Sequence, residues 1–346
     1  MKQVIMIGPA SVSKGGIATV IANFEKTFAS ETVNIHYIAS WKEGSALFKL
    51  WMFIRAIMQL CYVAITQKID IVHIHTSQKG SFYRKMIFIN IAKLFRSKVI
   101  LHMHGSRFGI FYDQQTSFIQ KRIVNHLNRL DHIIVLSEAW KTYYENMCDT
   151  PVSVMENAVE VPRTNPYNNT SKTIVTFGNV SQEKGSYDLL RAIQSLGATY
   201  QEYEFIFYGI GDIETAQTQI NQNKLTNVTL GGWVESHQKQ TILESALLHI
   251  LPSYHEALPM AILETMAHGI PNISTNVGGI PQIIHDKQNG LLIEPGDITE
   301  LHEAIADLLD NQEARELMST KAHHAVQDQF SMDACNNKWE QFYENL

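Results

Sequence analysis

The chain has 346 residues, 45% hydrophobic and 18% charged, with a formal net charge of −6. That length exceeds one small core and points to two domains, while the composition excludes a disordered or collagen-like chain. Cys61, Cys148 and Cys335 are too few and too scattered for a disulfide framework or a zinc site, so the sequence reads as a reduced, cytosolic-type protein, and its net charge suggests no nucleic-acid partner. The average hides an asymmetry. Residues 1–150 hold 18 Lys and Arg against 9 Asp and Glu, whereas 151–346 hold 10 against 25. Two halves of opposite sign suggest a different partner for each.

Lys2-Gln3 runs directly into Val4-Ile5-Met6-Ile7, which reads as a buried strand and not as a secretory leader. A small-residue loop, Gly8 to Gly16, leads into helical spacing from Ile17 to Phe28. Strand, glycine loop and helix open an α/β unit. Further strands are expected over 69–75, 99–104, 132–137 and 153–155, with helices over 46–66, 81–96 and 117–129 between them. Pro162 to Ser171, with two prolines and three asparagines, reads as a linker. The alternation then restarts, with strands over 173–177, 204–209, 228–230, 247–251 and 271–275 and helices over 187–195 and 261–267. The pattern predicts an α/β protein of two Rossmann-like, doubly wound domains facing across a cleft. Their expected ranges are 1–163 and 164–330, with a helix over about 331–346 packing back on the first. Ligands in such sheets bind outside the carboxyl ends of the strands. Gly8–Gly16, His104-Gly105, Gly178–Gly185, Gly209–Gly211 and Ser253–Pro259 all fall at those ends.

The sharpest segment runs from Ser253 through Glu256, Leu258, Pro259, Met260 and Ala261 to Glu264. Pro259 suits the first position of a helix, where its missing N–H costs nothing. The N–H groups of Met260 and Ala261 would then face the loop as an anion site suited to a diphosphate. Glu264 falls roughly 7–8 Å further along the helix axis than Pro259. Carboxylates on either side of an anion site accept paired hydroxyls, such as a sugar or a ribose offers.

This segment resembles the Glu-x7-Glu signature of the retaining glycosyltransferases of family 4, which have the GT-B fold. The resemblance extends through Val277-Gly278-Gly279 and Asn289-Gly290-Leu291, Gly232-Trp233-Val234, Gly209-Ile210-Gly211-Asp212, Gly178-Asn179 to Lys184-Gly185, and Gly15-Gly16-Ile17. It implies a nucleotide-diphosphate sugar as donor, UDP first and GDP next, with no metal and no cofactor beyond that substrate. Glu264 would bind the ribose, Glu256 the donor sugar and Lys184 the diphosphate. Asn179, Gly209, Trp233, Val234, Leu258, Met260 and Ala261 would border the donor, and Gly15 and Gly16 would let the backbone approach it. His104 matches the family's active-site histidine, so His104, Lys184 and Glu256 form the implied catalytic set. Two positions depart from the family pattern. Asn179 stands where the family usually has Arg, and Lys184 alone, or Arg107 or Lys14, would have to supply the cation. Asn157-Ala158-Val159-Glu160 stands where Asn-Gly-Val-Asp is more usual, so Ala158 should not need positive φ.

The basic half carries the acceptor reading. His73 and His75 share one strand face. His73 reads as a polar residue lining a strand end and His102 as a satisfied core residue, and His75, Ser77, Arg84 and Arg107 as candidates for contact with an acceptor. In residues 46–66, Leu47, Leu50, Trp51, Ile54, Met58, Cys61 and Ile65 follow helical spacing, and Lys49, Arg55 and Gln59 argue against a transmembrane span. The stripe reads as the face of a core-packed helix, with a helix on a membrane surface as the alternative. The next helix, with Arg84, Lys85, Lys93 and Arg96, is apolar and basic and would suit anionic lipid. Resemblance to polysaccharide-assembly members implies a polyprenyl-diphosphate-linked glycan as acceptor and a cytoplasmic, peripheral place at the inner membrane surface. An epimerase of the same fold and a non-catalytic sugar-nucleotide-binding subunit are the rival readings. A glycosidase fits less well, because the two carboxylates flank an anion site.

Overall fold

The computed structural model describes residues 1–346, apart from the side chain of Ser236. It divides into two compact units, Met1–Ala158 with Met332–Leu346, and Val159–Ser331. The chain enters and leaves the second unit side by side. Val159 N–H donates to Phe330 O at 3.0 Å, and Val159 bridges Ser331. The division therefore falls at Ala158, ahead of the proline- and asparagine-rich segment.

The first unit runs β1 (Lys2–Pro9), α1 (Gly16–Thr27), β2 (Val33–Trp41), α2 (Ala46–Thr66), β3 (Ile71–Thr76), α3 (Gly80–Leu94) and β4 (Lys98–Met103). It continues with α4 (Phe108–Asp113), α5 (Ser117–Leu127), β5 (His132–Val135), α6 (Glu138–Glu145) and β6 (Val152–Val154). Its sheet is parallel, in the order β2-β1-β3-β4-β5-β6. The chain steps one way from β1 to β2 and the other way to β3, so the topological switch point lies between β1 and β3.

The second unit repeats the plan with β7 (Thr173–Phe177), α7 (Ser186–Leu196), β8 (Glu204–Tyr208), α8 (Ile213–Gln222), β9 (Val228–Gly232), α9 (Ser236–Ser245) and β10 (Ala246–Leu251). Then follow α10 (Met260–Ala267), β11 (Asn272–Thr275), α11 (Ile280–Ile283), β12 (Leu291–Ile293), α12 (Ile298–Asp310) and α13 (Gln312–Gln329). The order β12-β11-β10-β7-β8-β9 puts its switch point between β7 and β10. The last helix, α14 (Met332–Asn345), belongs to the first unit. There Trp339 packs edge-on against Phe24 of α1, with ring centroids 5.6 Å apart, and Tyr343 is fully buried.

Three sequence expectations change. The first concerns β2, which the periodicity did not reveal. It is an edge strand, and its exposed Asn34 and His36 break the apolar run that marks the central strands. The second concerns α2, whose predicted core stripe faces outward. Leu47, Leu50, Trp51, Ile54, Met58 and Ile65 are all exposed, while Met52, Ala56 and Leu60 are buried. Phe53, Ile57, Val63 and Ala64 pack beside those buried residues against the core of the first unit. The helix is apolar on two faces, and the more regular stripe is the one the core does not use. Its length and composition would suffice to cross a membrane, although one such helix is weak evidence of that.

The basic helix also differs from expectation. In α3 Phe82, Phe88, Ile89 and Ala92 are core, Lys85 is buried with them, and Lys93 pairs with Asp131 at 2.5 Å. It is therefore not a continuous solvated basic face.

The two faces of α2 should respond differently to mutation. Leu60→Ala should cost about 2–5 kcal/mol of unfolding free energy, whereas Met58→Ser or Ile65→Ser should stay within about 0.5 kcal/mol of wild type. Urea unfolding of the three variants measures this, and equal losses at both faces would contradict the assigned core side.

Candidate active site

In the second unit the loop after β7 meets the loop after β10. Ser181 accepts from Lys184 N–H at 3.3 Å and so starts a 3-10 turn over Gln182–Lys184. Tyr254 N–H donates to Glu183 O at 2.9 Å, which ties the two loops together. Gly185, at φ +68°, lies so close to Pro252 that an added Cβ would sit 2.0 Å from its carbonyl oxygen. That contact requires glycine. Lys184 Nζ then donates to Glu256 Oε1 at 2.5 Å, and Ser253 Oγ donates to the same oxygen at 2.8 Å. Glu256 is buried, and Lys184 remains about one-third exposed.

Pro259 sits one position earlier than expected, as the cap residue, so α10 begins at Met260. No side chain caps that end, and the first N–H groups of the helix carry its partial positive charge toward the loop. Leu258 and Met260 are buried, so only their backbone can meet a ligand, while Ala261 is half-buried. Further along the helix Glu264 accepts from Lys239 Nζ, whose ammonium also lies 5.0 Å over the Phe177 ring. Sequence reasoning missed Lys239, which carries no motif of its own. Asn179 is exposed, and its carbonyl accepts from Ser181 Oγ at 3.4 Å. Gly209 is buried against the backbone of Gly178, where an added Cβ would come within 1.7 Å of an oxygen. Trp233 and Val234 follow the edge strand β9, two strands from β7.

In the first unit a cavity of about 340 Å³ opens at the β1/β3 switch point. Its wall brings together Gly15 and Gly16 at the start of α1, His75 and Ser77 at the end of β3, and Arg84 of α3. Arg107 is not in that wall; it precedes α4 as its cap residue. Lys85 and Ser40 are among the wall residues that sequence reasoning did not single out as ligand-contacting. Ser40 is the penultimate residue of β2, the strand that the sequence pattern conceals, and Lys85 belongs to the basic helix that the sequence suggests for lipid. Ser40 Oγ accepts from Lys85 Nζ and donates to Gly8 O at 2.9 Å. Burial, with Arg84 adjacent, lowers the Lys85 ammonium to about 7.

Beside the cavity stands a stack of imidazoles. His75 and His102 are register partners on β3 and β4. Tyr343 Oη meets His73 Nδ1 at 2.6 Å, His73 Nε2 meets His102 Nδ1 at 3.2 Å, and His75 Nδ1 meets His104 Nε2 at 2.9 Å. His73 and His102 are both buried, but His102 Nε2 has no hydrogen-bond partner among the described residues, so His102 is a core residue that is not fully satisfied. The nearest ligand nitrogens of His73, His75 and His102 lie within 4.8 Å of one another. Their rings nevertheless stack at interplanar angles of 19–38°. Lone pairs lie in the ring planes, so stacked rings do not converge on one ion as a zinc triad does. Burial pushes His73 and His104 down to about 3 and holds His75 and His102 well below the usual imidazole range. Neighbouring imidazoles add to this for all but His104.

The family model for glycosyltransferase family 4 matches residues 13–163, and that for glycosyl transferases group 1 matches residues 160–325. The chain belongs to glycosyltransferase family 4. An uncharacterized glycosyltransferase of Haemophilus influenzae is 25% identical over 64% of this chain and 65% of its own length. The poly(ribitol-phosphate) alpha-N-acetylglucosaminyltransferase of Staphylococcus aureus is 22% identical over 69% of this chain and 50% of its own. The chain thus spans less than two thirds of either relative. The solved structure of Anabaena HepE with UDP-glucose covers 100% of both chains at 15% identity and a TM-score of 0.78, a likeness of fold. As in other GT-B proteins, each of the two units is a parallel six-stranded sheet flanked by helices.

The imidazole stack should make a family member of this type acid-sensitive. His73 is neutral when folded and ordinary when unfolded, so the unfolded chain binds more protons below pH 6.5. Stability is complete above that pH and falls as pH drops from 6.5 toward 3. At pH 5 the loss from His73 alone should be about 2 kcal/mol. Urea titrations at pH 7.5 and 5 should show a smaller pH effect in His73→Gln than in wild type, and an equal effect would contradict the buried neutral state.

Proposed function

We propose that the protein is a retaining, metal-independent glycosyltransferase of surface-polysaccharide assembly. It moves a sugar from a nucleotide-diphosphate donor, UDP-sugar by preference, to a hydroxyl of a lipid-linked glycan. The observation that carries this reading is Glu256 held by Lys184 at the mouth of an uncapped helix, with Glu264 further along the same helix. A diphosphate at that helix start competes with Glu256 for the Lys184 ammonium. The freed Glu256 carboxylate then accepts hydroxyls of the donor sugar, and Glu264, beside Lys239, accepts those of the ribose, a role each is chemically suited to. Rate enhancement comes from positioning and from stabilising charge on the departing diphosphate. Support comes from HepE, solved with UDP-glucose, and from the similarity to the poly(ribitol-phosphate) alpha-N-acetylglucosaminyltransferase of Staphylococcus aureus. The neutral imidazole His104 receives the acceptor hydroxyl without adding a charge, with His75 orienting it.

The exposed apolar stripe of α2 suggests how the enzyme meets a lipid-linked acceptor at the cytoplasmic face of a membrane. Leu50, Trp51 and Ile54 would dip among the acyl chains, with Lys49 and Arg55 at headgroup level. In this reading the membrane contact belongs to α2 and not to α3.

The donor reading predicts that Glu264→Ala loses about 10- to 100-fold in affinity for the matching UDP-sugar, the worth of charged hydrogen bonds to hydroxyls. Calorimetry over a panel of nucleotide sugars measures it, and undiminished affinity would remove the donor assignment. Free nucleotide released only with acceptor present distinguishes transfer from epimerisation. The membrane reading predicts that Trp51→Asp with Ile54→Asp abolishes sedimentation with anionic vesicles while leaving donor affinity unchanged. Equal sedimentation would place the contact elsewhere.

A further inference from the structure

The cavity of the first unit holds more positive charge than its own wall neutralises. Lys85 is 4% exposed, and its Nζ reaches Ser40 Oγ and lies 5.3 Å over the Phe88 ring. Among the described residues neither Lys85 nor its neighbour Arg84 forms an ion pair, and no carboxylate lines the cavity. A buried ammonium without a counter-charge is costly, which is why it normally pairs or loses its proton. Lys85 has three donors, and Ser40 takes one.

Apart from Gly15 and Gly16, which the donor reading takes, one helix start opens onto the same space: Ser81 of α3 lines it, and that helix has no side-chain cap. Uncapped N–H groups and the helix dipole favour an anion. Ser77 and Ser81 add hydroxyls. Guanidinium, ammonium, amide and hydroxyl donors around one space suit an oxyanion with several acceptor oxygens better than a single carboxylate.

We infer that this cavity seats a phosphoryl group of the acceptor, and that Lys85 and Arg84 select an acceptor phosphorylated on the sugar that receives the new bond. The inference rests on the proposed transferase reading, in which the acceptor hydroxyl meets His104. It adds where the acceptor's charge is held. His75 lines the cavity, and its Nδ1 bonds to His104 at 2.9 Å. One imidazole therefore separates an anion in the cavity from a hydroxyl at His104. A long glycan would carry its terminal hydroxyl far from any anchoring diphosphate, whereas a single sugar on a phosphate spans the two points. The preceding reaction must then be one that leaves a phosphate or diphosphate on that sugar.

Calorimetry with inorganic pyrophosphate tests the site on the full chain without donor. Because Lys184 can also hold a diphosphate, the measurement is made on Lys184→Ala, alone and combined with Lys85→Met or Arg84→Gln. Lys184→Ala should retain pyrophosphate binding, and either added substitution should weaken it at least tenfold. Lys85→Met replaces a buried charge by an apolar chain of similar length, so its melting temperature should equal or exceed that of its parent. Should it fail to fold, the half-buried Arg84→Gln carries the test. Binding that Lys184→Ala abolishes, or that neither added substitution weakens, overturns the inference.

A transfer assay then separates the sources of the anion. A sugar carried on a short prenyl diphosphate should be glycosylated at least tenfold faster than its methyl glycoside, and this preference should vanish in Arg84→Gln. An equal preference for a methyl uronide would assign the cavity to a carboxylate and overturn the phosphoryl reading. Loss of donor binding or of all transfer, with pyrophosphate binding intact, would count against the transferase reading and not against the anion site.

Discussion

Parallel strands govern what this chain can do and where. Each parallel pair needs a crossover, the crossovers cover both faces of the sheet, and both faces become core. Chemistry is left to the carboxyl edge, where the crossovers begin. At a switch point two neighbouring crossovers diverge, and the edge opens. In the first unit that opening is the cavity beside Gly15, Gly16 and His75, and in the second it is the meeting of the β7 and β10 loops. Glycine is required where backbone meets backbone at these edges, as Gly185 does against Pro252 and Gly209 against Gly178.

The same constraint decides what was legible in the sequence. Central strands such as β1, β3 and β10 announce themselves as short apolar runs, because both faces are buried. The Glu256 to Glu264 segment was legible because its proline, its carboxylates and its helical spacing act within one short stretch of chain. Edge strand β2 was not, and with it went Ser40, whose role depends on Lys85 far along the chain. Lys239 and Glu264 likewise meet only when α9 packs beside α10. Periodicity reports that α2 is amphipathic, but not which of its two apolar faces the core takes. That choice is made by what Phe88 and its neighbours present: Phe53 of α2 stands edge-on to Phe88, with centroids 5.4 Å apart.

The net charge of −6 is likewise a sum of local arrangements. In the second unit the acidic excess does not reach the loop before α10 as free charge, because Glu256 and Glu264 are each held by a lysine. The lysines keep the carboxylates in place. In the first unit the positive excess is partly internal. Lys93 is spent on Asp131, and Lys2 holds the end of α14 by donating to Tyr343 O at 2.9 Å. Lys85 and Arg84 are left facing the cavity. A surface count of basic residues therefore overstates what the unit offers to a membrane and understates what it offers to a small anion.

The imidazole stack and the cationic cavity depend on one another. Four protonated histidines beside Lys85 and Arg84 would repel each other in a region with little water, and burial already opposes their charging. Kept neutral, they serve as a rigid spacer of paired donors and acceptors running from Tyr343 of α14 to His73 and His102. His75 and His104 form the adjoining pair at the cavity wall. The fully buried Tyr343 and the stacking of Trp339 on His73 at 5.0 Å fix the inner end. In the proposed reading a neutral His104 adds no charge to compete with the cations for an oxyanion, so the anion would be held by Lys85 and Arg84 while the imidazole is left to the hydroxyl. Separating the two tasks by one histidine pair would then set the span between charge and reacting oxygen, and that span would limit how long an acceptor can be.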